Sequence, residues 1–135
     1  MKTILVCYEE RPVAERVLER AAELAKAFAA KVIVVSVAPT LHGRGGPIDP
    51  IDSPGRHEAE VDEATAQLGD LGVTGVETVT GIGDPARAIV DLADERQVDL
   101  IVLGAHDGGL FSRLFEGSIG DAVVHKAHTD VLVVH

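Results

Sequence analysis

Aromatic residues are scarce in this chain: no Trp, one Tyr and three Phe in 135 residues, 3% in all. A core without rings must be built from Val, Ile, Leu and Ala, and the 46% hydrophobic content is enough for a folded domain. The same scarcity argues against base-stacking platforms for nucleic acid, which need exposed rings. Positive charge is also short. Twelve Lys and Arg stand against 22 Asp and Glu, a formal net charge of −10. Such a surface repels nucleic-acid backbones and anionic membranes, so neither is expected as a partner. No apolar run approaches the roughly 18 residues that span a bilayer. Met1-Lys2-Thr3 leads straight into a short strand pattern without the shape of a signal peptide, which points to a cytoplasmic protein. The one cysteine, Cys7, has no internal disulfide partner and suits a reducing compartment. The length is that of one domain, residues 1–135.

Short aliphatic runs alternate with amphipathic segments. Thr3–Tyr8 (TILVCY) and Lys31–Val37 (KVIVVSV) read as strands buried on both faces, the habit of parallel sheets. Between them, Pro12 opens a helix whose apolar stripe is Val13, Val17, Ala21, Leu24 and Phe28. Pro39–Gly55 holds four prolines and four glycines and reads as a long loop, predicted to be mobile over about residues 40–54. A weaker helix follows over Arg56–Leu71, carried by Ala59, Val61, Ala64 and Leu68. Gly75–Gly81 contains a short strand. Asp84 and Pro85 supply an N-cap and a first helical position for a helix to about Arg96. Asp99–Gly104 is a fourth strand, Gly104–Gly117 a Gly-rich loop, Ser118–Ala127 a last helix and Asp130–Val134 a fifth strand. This alternation implies an α/β fold with an open parallel sheet and helices on both faces.

Ligands of such sheets sit beyond the carboxyl ends of the strands, where strand order reverses. Three unusual segments arrive there: Tyr8-Glu9-Glu10-Arg11, Ala38-Pro39 with the proline loop, and Gly104-Ala105-His106-Asp107-Gly108-Gly109. The stretch from Gly104 to Ser118 runs from a strand end through glycines to a helix start, whose free N–H groups and dipole suit phosphate. Turn-making glycines with Ser118 as a simple cap are the plainer explanation of the same residues. Neither a Walker A loop nor GxGxxG is present.

The segment from Ile82 to Val134 (IGDPARAIVDLADERQVDLIVLGAHDGGLFSRLFEGSIGDAVVHKAHTDVLVV), with the first β-α-β unit from Lys2 to Val37, resembles the universal stress protein family over nearly the whole chain. The region from about Thr40 to Pro54, where members vary, is excepted. The resemblance implies strand order 3-2-1-4-5, the adenine nucleotide alpha hydrolase-like fold, and a homodimer that binds ATP or another adenine nucleotide. The family's phosphate motif is Gly, two residues, Gly, nine residues, Gly, then Ser or Thr. Here Gly104 takes its first position and Gly117-Ser118 its closing pair, while Asp107 stands where the second glycine belongs, with Gly108 beside it. Asp107 repels phosphate, or holds Mg²⁺ against it, or points to solvent as a turn residue. An acidic residue followed by Gly-Ser is usual after the first strand, and Glu9-Glu10-Arg11 replaces it. The resemblance thus implies a nucleotide site made by Cys7, Tyr8 and Glu9 after strand 1 and by Val37 on strand 2. Leu103, Gly104, His106 and Gly108 would add the strand-4 side, and Gly117, Ser118 and Ile119 the start of the last helix. Val131, Leu132, Val133 and Val134, apolar and on a sheet edge, would form the dimer interface.

Other constellations point elsewhere. His125 and His128, three apart near Asp130, have metal-ligand spacing, but no Cys or third fixed ligand accompanies them, so no metal is expected. Cys7 within an apolar strand reads as inert packing, which removes a Cys–His nucleophile. Arg113 either balances phosphate or pairs with Glu116. No general base for hydrolysis stands out, so the chain reads as a binding module rather than an enzyme, with any ATP hydrolysis slow. Two other readings remain: a dimeric protein-interaction module without nucleotide, and a small-molecule enzyme using Glu9 or His106.

Overall fold

The computed structural model describes residues 1–9, 11–39, 54–105 and 119–135. The loop over residues 40–53 and the Gly-rich segment 106–118 lie outside the described residues, as does Glu10. The elements are β1 (Thr3–Cys7), α1 (Ala14–Phe28), β2 (Lys31–Pro39), α2 (Pro54–Asp70), β3 (Glu77–Gly83), α3 (Pro85–Glu95), β4 (Leu100–Gly104), α4 (Ile119–Lys126) and β5 (Asp130–Val134).

All pairings are parallel and the sheet order is β3-β2-β1-β4-β5. Each aliphatic run supplies both faces of the sheet at once, as side chains alternate along a strand. Ile4, Val6, Val32, Val34 and Val102 face a layer made by α1 and α2, through Val17, Leu18, Ala21, Val61, Ala64 and Leu68. Leu5, Ile33, Val35, Ile101 and Leu103 face the opposite layer, made by α3 and α4 through Ala86, Ile89, Val90 and Val123. Ile4, Leu5 and Val6 are wholly buried, which is why β1 sits at the centre of the sheet. Among the described residues no helix is long and apolar enough to cross a membrane.

Several element boundaries differ from the sequence expectation. Tyr8 falls outside β1, although its N–H still donates to Val35 O at 3.0 Å. Pro12 lies in a turn ahead of the helix rather than opening it, and Ala14 N–H donates to Arg11 O at 2.9 Å. β2 runs two residues past Val37 to Pro39. From Ser36 onward it pairs with β3 alone, so the side once facing β1 has no rung to lose and a proline is tolerated. β3 correspondingly extends to Gly83. α2 starts at Pro54, inside the expected loop, with proline at its first position. α3 ends at Glu95 and α4 at Lys126. Asp84 stands at the N-cap of α3, but its side chain makes no capping hydrogen bond. Two expected apolar points are on the surface: Ala59 is exposed and Phe28 is 53% exposed.

Candidate functional site

From β1 the chain builds outward through β2 to β3, then returns across β1 to β4 and builds outward to β5. Strand order therefore reverses between β1 and β4, and their carboxyl ends flank a crevice that no crossover covers. Val6 is the last β1 residue paired with β4, opposite Val102, so Cys7 and Leu103 follow side by side toward that edge.

The residues expected at the edge divide into three groups. Cys7, Val37 and Leu103 pack on the α3/α4 layer, and Tyr8 is buried in the α1/α2 layer. What these four can offer a ligand at the edge is main chain rather than side chain. Burial pushes the Cys7 thiol up to about 12, so it is held as a thiol and not a thiolate nucleophile.

Glu9 and Ile119 make the second group, with side chains in solvent. Ile119 is 42% exposed at the start of α4. Glu9 Oε2 lies 3.4 Å from Arg11 Nε, and that nitrogen makes no hydrogen bond, so the contact is an ion pair of charges rather than a directed bond. Arg11, which stands where the resemblance implies a small residue, lines the cleft between α1 and α2. The third group, His106, Gly108, Gly117 and Ser118, lies outside the described residues together with Asp107, Arg113 and Glu116.

Gly104 closes β4 directly under α1. A Cβ built there would lie 2.5 Å from Val13 Cγ1 and 3.3 Å from Val17 Cγ2. The glycine lets the helix sit down on the strand end, a packing reason independent of any phosphate. The next residue, Ala105, donates its N–H to Val134 O at 2.7 Å and so tethers the strand end to β5.

A cleft of about 550 Å³ opens between α1 and α2, with Glu15, Glu19, Glu63 and Asp70 on its walls. Arg11 also lines it, but four carboxylates against one guanidinium make it unsuited to a phosphate. β5 pairs only with β4 among the described residues; Val131, Leu132 and Val133 are half-buried and Val134 is buried. His125 is exposed, and His128 Nδ1 lies 3.0 Å from Asp94 Oδ2 rather than beside Asp130. Among the described residues no cluster of three His, Cys, Asp or Glu side chains forms a metal site.

Sequence reasoning missed a buried polar cluster. Ser36, His57 and Glu60 are each less than a tenth exposed. Ser36 Oγ lies 2.5 Å from His57 Nδ1 and donates to Glu60 Oε2 at 2.9 Å, while His57 Nδ1 is 3.4 Å from the same carboxylate oxygen. Ser36 is registered against Thr80 of β3, and His57 forms one wall of a recess of about 300 Å³ with Thr80, Gly81 and Ile82. The signal was present: positions 57, 60, 61, 64 and 68 share one helical face, and that face excludes Ala59.

The chain matches the family model described as the Universal stress protein family over residues 1–135. Universal stress protein Rv1636 of Mycobacterium tuberculosis is 29% identical, over 99% of this chain and 96% of its own length. A crystal structure of a universal stress protein in complex with cAMP shares 29% identity at a TM-score of 0.78, covering 99% of this chain and 97% of the other. The universal stress protein from Archaeoglobus fulgidus in complex with dAMP shares 27% identity at a TM-score of 0.67, covering 100% of this chain and 98% of its own.

Proposed function

The chain belongs to the universal stress protein family, and from that premise we propose that it is a dimeric, adenine-nucleotide-binding module of the stress response. The observation that carries this reading is the crevice between β1 and β4, in a chain that aligns end to end with two relatives seen with cAMP and dAMP. The base and ribose would lie against the main chain after Cys7 and along Val37, with Glu9 accepting from a ribose hydroxyl. The phosphates would reach the N–H groups from Gly104 toward Gly117, Ser118 and Ile119, with His106 and Gly108 in the same loop. Where a triphosphate is bound, Mg²⁺ would find a carboxylate at Asp107.

Binding rather than turnover is the activity proposed. The one described acidic side chain at the crevice, Glu9, is held by a cation, and the cysteine there is a protonated thiol. A cytoplasmic location is proposed from the composition and the single cysteine. A partner-binding dimer without nucleotide is the second reading. It is favoured by Asp107 at a glycine position and by the bulky Glu10-Arg11 pair at the mouth.

Mass spectrometry of small molecules released from the denatured protein, with calorimetric titration of ATP and cAMP, separates the two. An adenine nucleotide recovered or bound supports the first reading. No nucleotide recovered, and no heat from either at millimolar concentration, supports the second.

A further inference from the structure

The Ser36–His57–Glu60 cluster leaves one atom over. His57 Nδ1 lies 2.5 Å from Ser36 Oγ and 3.4 Å from Glu60 Oε2, so that side of the ring is engaged. Nε2, on the other side, is buried and makes no hydrogen bond among the described residues, in a side chain more than nine-tenths buried. A buried polar atom without a partner is costly, and native proteins normally supply one.

The recess that His57 walls lies away from the nucleotide crevice. Ser36 shares its side of β2 with Val34 and is registered against Thr80, so Ser36, Thr80 and His57 all lie on the α1/α2 face of the sheet. Val35, Val37 and Val79 point to the opposite, α3/α4 face. The recess thus sits between α2 and the edge strand β3, with β2 standing between it and the β1/β4 crevice. Thr78, Thr80 and Ile82, at every second position of β3, are exposed, so α2 leaves this side of the strand uncovered.

Its chemistry narrows what it takes. A volume of about 300 Å³ admits a small molecule. Ile82, 59% exposed, makes an apolar wall, and Thr80 and the Gly81 main chain add polar groups. The contacts at Nδ1 are compatible with a neutral or a charged ring, so Nε2 is either a lone pair or an N–H. A hydroxyl suits both, because it accepts and donates and its proton turns to match. A carbonyl serves only the N–H, and an ammonium only the lone pair. The Glu60 carboxylate offsets any charge on the ring, which disfavours an anion in a chain of formal charge −10. A single imidazole is too few ligands for a metal ion. Water pairs with Nε2 but leaves Ile82 uncovered.

We propose that this recess is a second ligand site, for a small neutral molecule that carries a hydroxyl on an aliphatic body. The hydroxyl pairs with His57 Nε2 and the aliphatic body covers Ile82. Ser36 and Glu60 are positioning residues that hold the ring with Nε2 toward the recess.

The test titrates the protein, without nucleotide, with cyclohexanol and follows the backbone amides and histidine rings by NMR. Saturable shifts are expected at Thr80, Gly81, Ile82 and His57 Nε2, with a dissociation constant on the order of a millimolar. Ile82→Ser changes an exposed residue, so the fold should survive, and it should weaken the alcohol about tenfold. Cyclohexanecarboxylate should bind about tenfold more weakly than the alcohol. Cyclohexanone and cyclohexylammonium should not both match it, since each pairs with only one state of Nε2. A match by both, equal binding of the carboxylate, an unmoved Nε2 resonance or an unchanged affinity in Ile82→Ser overturns the inference. So do saturable shifts at Cys7 and Leu103 instead, which would put the alcohol in the crevice. The absence of any saturable shift means that the recess holds water only and overturns it as well. None of these outcomes touches the nucleotide reading.

Discussion

Val13 sits over Gly104 so closely that the strand end has no room for a side chain: a Cβ at position 104 would fall 2.5 Å from Val13 Cγ1. Val13 is the residue just before α1, and Gly104 is the last residue of β4. The same pair therefore sets how α1 lies across the switch point and where the β4 main chain emerges beside the crevice.

Gly104→Ala should destabilise the protein by about 1–3 kcal/mol, the usual cost of overfilling a packed core. Val13→Ala in the same chain removes the methyl group that would clash, Cγ1, and should recover most of that loss. Denaturant unfolding of the two single variants and the double variant checks this. Additive losses in the double variant would show that the two residues do not share one space.

The order of elements was legible because each aliphatic run is short and bounded, and a strand buried on both faces needs no alternation to be recognised. The boundaries at Pro39 and Pro54 were not legible. Proline normally ends an element, but each of these occupies the one position in its element where a missing N–H costs nothing. Ser36 passed unnoticed within KVIVVSV because it sits among valines, and His57 and Glu60 because apolar residues alone were counted along α2. Glu9 was legible from its place after β1, yet its ion pair with Arg11 depends on a turn that no periodicity encodes.

Asp99 ties the start of β1 to the start of β4. Its Oδ2 accepts from the N–H of Lys2 at 2.7 Å and of Thr3 at 2.9 Å. These two backbone bonds, Lys2 first, hold its carboxyl below the usual aspartate range. A lowered folded-state value means the ionised form is the one stabilised. The contribution is complete above the unfolded-state value and is lost as pH falls through the folded-state value. The stability advantage of wild type over Asp99→Ala should therefore be constant near neutrality and shrink on acidification below about pH 4. Unfolding midpoints measured across that range test it, and an advantage that grows on acidification would refute the assignment.

β5 presents half-buried Val131, Leu132 and Val133 on a strand paired on one side only among the described residues. An apolar edge of this kind invites pairing with a second copy. Val133→Lys keeps an aliphatic stem for the α3/α4 layer while placing charge at the edge, so the fold should survive. Light scattering should report a monomer for this variant and a dimer for wild type, with circular dichroism unchanged. A dimer mass for a folded Val133→Lys protein would remove β5 as the interface.

Glu9 is the exposed carboxylate at the crevice, and its role can be separated from stability because it contributes little to the fold. An ion pair as exposed as Glu9–Arg11 is worth about 0–1 kcal/mol, so Glu9→Ala should leave the unfolding midpoint nearly unchanged. A carboxylate accepting from a ribose hydroxyl is a charged acceptor, worth about 1.5–3 kcal/mol. Its loss should weaken ATP roughly tenfold to hundredfold. The same loss should appear in wild type when the accepting contact is removed from the other side, by 2′-deoxy- or 3′-deoxy-ATP, whichever hydroxyl is engaged. In Glu9→Ala, which keeps no acceptor at this position, that analogue and ATP should then bind alike, because the bond is already gone. Calorimetry on the two proteins and three nucleotides gives the answer. If Glu9→Ala weakens ATP and the deoxy analogues equally, the carboxylate acts through charge or through Arg11 rather than through the ribose. If it weakens none of them, the nucleotide lies away from the end of β1.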